Sequence, residues 1–96
     1  MLTKEAILTK LKALMPELRE KYGVERIGLF GSFSRTDYTA ESDIDLLVSF
    51  SRPVGIEFFD LAAYLEDVFG RKVDLVTQNA LRPMMKDSIL DQVQYI

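Results

Sequence analysis

The stretch at residues 31–48 constrains the fold of this chain more than any other, because it joins two apolar runs through a short polar segment. The first run, residues 26–30, reads RIGLF and ends at the pair Gly31-Ser32. The second run, residues 44–48, reads IDLLV. Runs of this kind predict short strands with buried faces, so the polar segment connects the end of one strand to the start of the next.

Two aspartates, Asp43 and Asp45, stand at the start of the second predicted strand. Because side chains alternate along a strand, both point the same way, with backbones roughly 6–7 Å apart. Such carboxylates repel each other unless a cation lies between them, and oxygen ligands suit Mg²⁺ or Mn²⁺ better than zinc. A solvated turn that binds no metal is the alternative, and this stretch alone leaves it open.

A third acid, Asp74, interrupts the apolar run at residues 72–77, which reads KVDLVT. A carboxylate at a central strand position is unexpected, because an unpaired buried charge is unfavourable by several kcal/mol. We expect Asp74 to lie beside Asp43 and Asp45 and to complete a three-carboxylate site for two divalent ions. The alternative is an edge strand on which Asp74 is hydrated.

The combination of Gly31-Ser32, ten intervening residues, Asp43-Ile44-Asp45 and a later Val-Asp-Leu strand resembles the DNA polymerase β-type nucleotidyltransferase superfamily. Within it, this short chain is similar to the minimal nucleotidyltransferases, the MntA-type antitoxins of HEPN/MNT toxin–antitoxin pairs. The resemblance covers nearly the whole chain. It implies an α/β (α+β) fold, in which helices flank a small mixed sheet.

The resemblance also implies where a nucleotide binds. Gly31 and Ser32 would hold the β- and γ-phosphates of ATP, and Arg35 is a further candidate because a guanidinium suits phosphate. An ion pair of Arg35 with Asp37 or Glu41 is the structural alternative for that arginine. Thr36 departs from the family pattern, which often has glycine after the arginine.

Two magnesium ions would give the three carboxylates distinct catalytic roles. In nucleotidyl transfer a hydroxyl attacks the α-phosphorus and pyrophosphate leaves in line, with the two ions about 3.5–4 Å apart. Asp43 and Asp45 would bridge the ions, and Asp74 would complete the ion that binds the nucleophile. The chain has no histidine, so proton removal would depend on metal, carboxylate or water.

The resemblance implies an enzyme that transfers AMP from ATP to a tyrosine of a cognate HEPN toxin, within a hetero-oligomer. Two other functions remain open. The chain could be a non-catalytic antitoxin that blocks its toxin by contact, or a nucleotidyltransferase that modifies a small molecule in a pocket supplied by a partner subunit. The sequence identifies neither the acceptor nor the preferred base.

Composition excludes several other classes of function. The 96 residues predict a single domain, 1–96, and a net charge of −3 argues against strong nucleic-acid binding. The absence of histidine and cysteine excludes Ser-His-Asp and Cys-His mechanisms and a disulfide framework. No apolar run approaches a membrane span, and the N-terminus does not resemble a secretory signal, so we expect a cytoplasmic protein.

The remaining pattern predicts three helices. The first begins after Thr3 and ends at Gly23, with a kink or break at Pro16. The second covers residues 56–69, where a second apolar line containing Ile56, Phe59 and Ala63 is expected to face the sheet, with a surface for a partner as the alternative. The third covers residues 84–92, with Met84 and Met85 as core filler, and the final VQYI is expected to add a short strand.

Overall fold

The computed structural model describes residues 2–96, which form a four-stranded mixed sheet and four α-helices. The predicted α+β fold with helices flanking a small mixed sheet is confirmed. None of the helices formed by residues 2–96 combines the length and the apolar character that crossing a bilayer requires. The elements are, in chain order, α1 (Lys4–Tyr22), β1 (Val24–Phe30), α2 (Gly31–Arg35), β2 (Ile44–Phe50), α3 (Glu57–Phe69), β3 (Val73–Thr77), a 3₁₀ turn (Gln78–Ala80), α4 (Pro83–Gln92) and β4 (Gln94–Tyr95).

The strand order β3-β2-β1-β4 determines which chain ends meet. β1 is antiparallel to both β2 and β4, whereas β2 and β3 are parallel. The C-terminal end of β1 therefore lies beside the N-terminal ends of β2 and β3. At this end of the sheet, Phe30 of β1 pairs with Asp45 of β2, and Asp45 pairs with Asp74 of β3.

The two faces of the sheet are covered by different helices. The main core lies between the sheet and the helices α1 and α3, and it contains Ile44, Leu46 and Val48 of β2. On the other face, Phe30 and Leu47 pack against Ile89 of α4. Because side chains alternate along a strand, Asp45 lies on the α4 face, next to Leu47 along β2.

The ends of α1 are those expected from the sequence. The Thr3 hydroxyl accepts a hydrogen bond from the Ala6 amide at 3.1 Å, and Gly23 ends the helix in a left-handed conformation with φ of 72°. Of the kink or break expected at Pro16, the break is wrong, because α1 continues through this residue, and the kink stays a prediction. Pro16 is exposed, so the backbone carbonyl that loses its hydrogen bond lies on the side where water can replace the missing donor.

The second apolar line of α3 does not face the sheet, and that expectation is wrong. Leu61 and Leu65 are fully buried, but Ile56 and Phe59 are 71% and 70% exposed. The helix packs on the sheet through a narrow stripe, and the neighbouring line of side chains turns toward solvent.

Candidate active site

The sheet brings together the residues singled out in the sequence. Gly31 and Ser32 follow the last residue of β1, Asp43 and Asp45 lie at the start of β2, and Asp74 is the second residue of β3. The antiparallel pairing of Phe30 with Asp45 and the parallel pairing of Asp45 with Asp74 place these positions at one end of the sheet. Asp45 and Asp74 occupy the same row on neighbouring strands, whose backbones are about 4.8 Å apart.

Gly31 is in direct contact with Asp45. Its φ of 73° lies in the left-handed region, which L-residues with side chains rarely adopt. A Cβ at this position would also lie 2.9 Å from the Asp45 carboxyl carbon and 3.1 Å from its Cβ. Glycine is therefore required both by the turn and by the approach of the Asp45 side chain.

Asp45 lies in an unfavourable environment for a negative charge. The pKa of its carboxyl is raised to about 6, chiefly by burial and then by the negative charges of Asp74 and Asp43, whereas the positive charge of Arg35 lowers it. Both neighbouring acids therefore act electrostatically on Asp45. A cation bound among them would remove the repulsion that raises the pKa of Asp45.

Asp43 is more open to solvent and faces a lysine. Its Oδ2 lies 4.0 Å from Nζ of Lys72, and both side chains are largely exposed. The preceding loop is held from two sides. Arg71 donates a hydrogen bond to the Ser42 carbonyl at 3.2 Å, and the Ser42 hydroxyl accepts one from the Thr39 amide at 2.8 Å. Arg71, which the sequence did not single out, thus helps to position Asp43.

The chemistry of the acidic side chains fits a hard divalent cation, although they are not gathered as a finished metal site. Within residues 2–96, no three acidic side chains stand close enough to hold an ion as they are arranged here. Their backbone positions are nevertheless adjacent, all three offer carboxylate oxygens, and the charges of Asp74 and Asp43 contribute, after burial, to the raised pKa of Asp45. Asp43, Asp45 and Asp74 are the residues that would hold Mg²⁺ or Mn²⁺.

Arg35 contacts an acid and also faces the candidate site. Its Nε lies 3.4 Å from Oδ2 of Asp37, so the ion pair anticipated as the structural alternative is present. Its Nη1 donates a hydrogen bond to Oε1 of Gln92 at 3.1 Å. Thr36 follows with φ of 68°, in the left-handed region that favours glycine.

An open cleft of about 540 Å³ connects these residues with α4. This volume is within the range of small-molecule sites. The lining comes from Phe30, Gly31, Ser32 and Arg35 on one side, from Asp45 and Asp74 on the sheet, and from Met84, Met85, Ser88, Ile89 and Gln92 of α4.

The contribution of α4 was not predicted. Met84 and Met85 were expected in the core, but they are 96% and 52% exposed, so that expectation is wrong. Ser88 and Gln92 line the cleft without having belonged to any motif. Their role depends on how α4 packs across the sheet, which no local sequence signal reveals.

Comparisons with known proteins place this geometry in a family. Residues 11–96 match the model of the nucleotidyltransferase domain. The protein adenylyltransferase MntA of Thermococcus cleftensis is 41% identical over 97 residues, which cover all of this chain and 98% of the relative. A solved structure described as a candidate minimal nucleotidyltransferase is 28% identical and superposes with a TM-score of 0.81, covering 97% of this chain and 95% of that one. A toxin–antitoxin crystal structure with AMP-PNP is 25% identical with a TM-score of 0.68, covering 98% and 72% of the two chains. The chain therefore belongs to the nucleotidyltransferase domain family and, within it, to the minimal nucleotidyltransferases.

Proposed function

We propose that this chain is a magnesium-dependent protein adenylyltransferase that acts as an antitoxin, transferring AMP from ATP to a tyrosine of a HEPN-type toxin. The observation that carries the proposal is the convergence of Gly31, Ser32, Asp45 and Asp74 at one cleft, with Asp43 directly before β2 at the same end of the sheet. The identity of 41% to a protein adenylyltransferase over the full chain supports transfer to a protein rather than to a small molecule. The proposed compartment is the cytoplasm, where ATP is available.

The chain's own residues have separable roles in this reaction. Gly31 lets the phosphates approach the backbone, Ser32 offers a hydroxyl, and Arg35 offers a positive charge at the same end of the cleft. Asp43, Asp45 and Asp74 would hold the divalent ions. When bound, these ions would activate the attacking hydroxyl and stabilise the leaving pyrophosphate.

The partner protein completes the site in this proposal. The cleft is open to solvent, and its described lining leaves room for an acceptor from outside, so the acceptor tyrosine would arrive on the toxin. Selectivity would then depend on the fit between the two proteins and not on a closed pocket within this chain.

Intact mass spectrometry tests the proposal directly. The protein is incubated with ATP, Mg²⁺ and the HEPN-type product of a neighbouring gene, and the partner is expected to gain the mass of one or more AMP groups. Fragment spectra are expected to locate the modification on tyrosine. We expect Asp43→Asn and Asp45→Asn each to reduce the rate of transfer by on the order of a hundredfold or more, because each removes a metal ligand.

Glu20→Gln is the matched control for these substitutions. Glu20 is an exposed acid near the end of α1, at the opposite end of β1 from the site, and its exchange also removes one negative charge. We expect it to leave transfer unchanged. A partner that stays unmodified but is still silenced by both aspartate variants would indicate inhibition by contact. Modification of a small molecule in place of the partner would support the other alternative.

A further inference from the structure

Met84 and Met85 form an exposed apolar surface at the N-terminal end of α4, inside the cleft that contains Asp74. We propose that this pair, the acceptor ledge, binds the aromatic ring of the tyrosine that receives AMP. The inference rests on the proposed function and extends it to the recognition of the acceptor side chain.

The exposure of the two side chains is the first observation. Met84 is 96% exposed and Met85 52% exposed, whereas Ile89 on the same helix is buried against Phe30 and Leu47. Methionine is flexible and polarisable, and its sulfur makes favourable contacts with aromatic rings. An apolar pair held open beside carboxylates is suited to a ligand with an apolar ring.

The direction of α4 gives the second observation. Its C-terminal end is tied to α2, because the Ser34 hydroxyl donates to the Gln92 carbonyl at 2.7 Å and Arg35 donates to the Gln92 side chain at 3.1 Å. Met84 precedes Gln92 by eight helical residues, which corresponds to about 12 Å along the helix axis. The acceptor ledge therefore lies at the end of the cleft away from Arg35.

The chemistry of the transfer distinguishes the two ends of the cleft. In an in-line displacement the attacking hydroxyl and the leaving pyrophosphate lie on opposite sides of the α-phosphorus. With the phosphates at Gly31, Ser32 and Arg35, the hydroxyl enters from the side of the acceptor ledge, and Asp74 of β3 lines the same cleft. A phenol ring on Met84 and Met85 would have its hydroxyl directed toward the carboxylates.

Steady-state kinetics of the double variant Met84→Ser/Met85→Ser tests this assignment. We expect the KM for the toxin to rise about tenfold, from the loss of the thioether–aromatic contacts, while the KM for ATP stays the same. The matched variant Met84→Leu/Met85→Leu keeps an apolar surface and is expected to restore most of the affinity for the toxin. An increase in the KM for ATP alone would assign the pair to the adenine base, and no change in either KM would also overturn the proposal.

Methyl NMR separates failure of this inference from failure of the proposed function. Methionines labelled with ¹³C at the methyl group are observed with Mg²⁺ and AMP-PNP, before and after addition of N-acetyltyrosinamide. We expect the Met84 and Met85 signals to shift with the phenol, while the signal of buried Met15 stays fixed. If wild-type protein modifies no toxin but these shifts occur, the ledge stands and the proposed partner is wrong. If the shifts are absent, or occur with AMP-PNP alone, the ledge is refuted.

Discussion

Asp45 is the residue at which the structural and chemical demands of the site conflict most directly. It is half-buried, it lies beside two other acids, and the backbone of Gly31 is packed against its side chain. A hydrophobic residue here would pack without a charge penalty. The carboxylate is thus explained by its chemistry and not by the stability of the fold.

The pKa of Asp45 predicts the sign of the change in the free energy of unfolding for Asp45→Asn. Because the pKa is about 6 in the folded protein and 3.8 for a solvated aspartate, the native state binds an additional proton between these pH values. The stability of the wild type therefore falls as the pH rises from about 4 to 6. At pH 7, without metal, we expect Asn to increase the free energy of unfolding by roughly 1–2 kcal/mol, after allowance for the partial exposure of the carboxyl.

Thermal unfolding of metal-free protein between pH 4 and pH 7 checks this prediction. The melting temperature of Asp45→Asn is expected to exceed that of the wild type at pH 7, and the gap is expected to narrow toward pH 4. Glu20→Gln removes one charge at the far end of the sheet and should not reproduce this pattern. A variant that melts at or below the wild-type temperature at pH 7 would contradict the unfavourable environment inferred for Asp45.

At the level of elements, the strands that carry the site could be predicted from the sequence, whereas their order in the sheet and the wall formed by α4 could not. An apolar run that ends in Gly-Ser and another that begins with Asp-Ile-Asp indicate where two strands end and begin. The alternation of side chains along a strand then predicts which face of the sheet carries the aspartates. The placement of α4 depends on contacts such as Ser34 with Gln92, which are 58 positions apart.

Apolar residues on helices were the main source of error. Methionine and phenylalanine predict burial on average, but Met84 and Phe59 are exposed because the sheet contacts a different side of each helix. The predicted break at Pro16 is absent for a related reason, because an exposed position on a long helix tolerates the loss of one backbone hydrogen bond. In each case the tertiary contacts of the helix decided the outcome.

The short helix α2 ends in a conformation that its sequence does not favour. Thr36 has φ of 68°, and a β-branched residue is strained in this region, whereas glycine is not. We expect Thr36→Gly to increase the free energy of unfolding by about 0.5–1 kcal/mol, because relief of strain exceeds the greater entropy of glycine in the unfolded chain.

Denaturant unfolding measures the free energy of unfolding of Thr36→Gly and of a control in the same loop, Thr39→Gly. Thr39 lacks the left-handed conformation, and its hydroxyl accepts a hydrogen bond from the Glu41 amide at 3.2 Å. Glycine at position 39 is therefore expected to destabilise the protein. The same sign of change at both positions would argue against strain at Thr36.

For the whole molecule, the site joins parts of the chain that are otherwise distant. α2, the starts of β2 and β3, and α4 all line one cleft. A ligand that contacts all of them binds the native state and not the unfolded chain, so it stabilises the entire domain by mass action.

We therefore expect Mg²⁺ with ATP to raise the melting temperature. At ATP tenfold above its dissociation constant the gain is about 1.4 kcal/mol, which corresponds to several degrees for a domain of this size. Differential scanning fluorimetry measures the shift. Asp43→Asn should abolish most of it, and Mg²⁺ alone should give less. An equal shift for wild type and Asp43→Asn would show that ATP binds elsewhere.

The parallel pairing of β2 with β3 has a consequence for how the site tolerates change. Hydrogen bonds between the backbones of β2 and β3 keep Asp45 and Asp74 one interstrand spacing apart. Substitutions in the hydrophobic core therefore leave this spacing unchanged as long as the two strands stay paired. A slip of β3 by a single residue would instead turn Asp74 into the apolar core under α3 and present Val73 or Leu75 to the cleft.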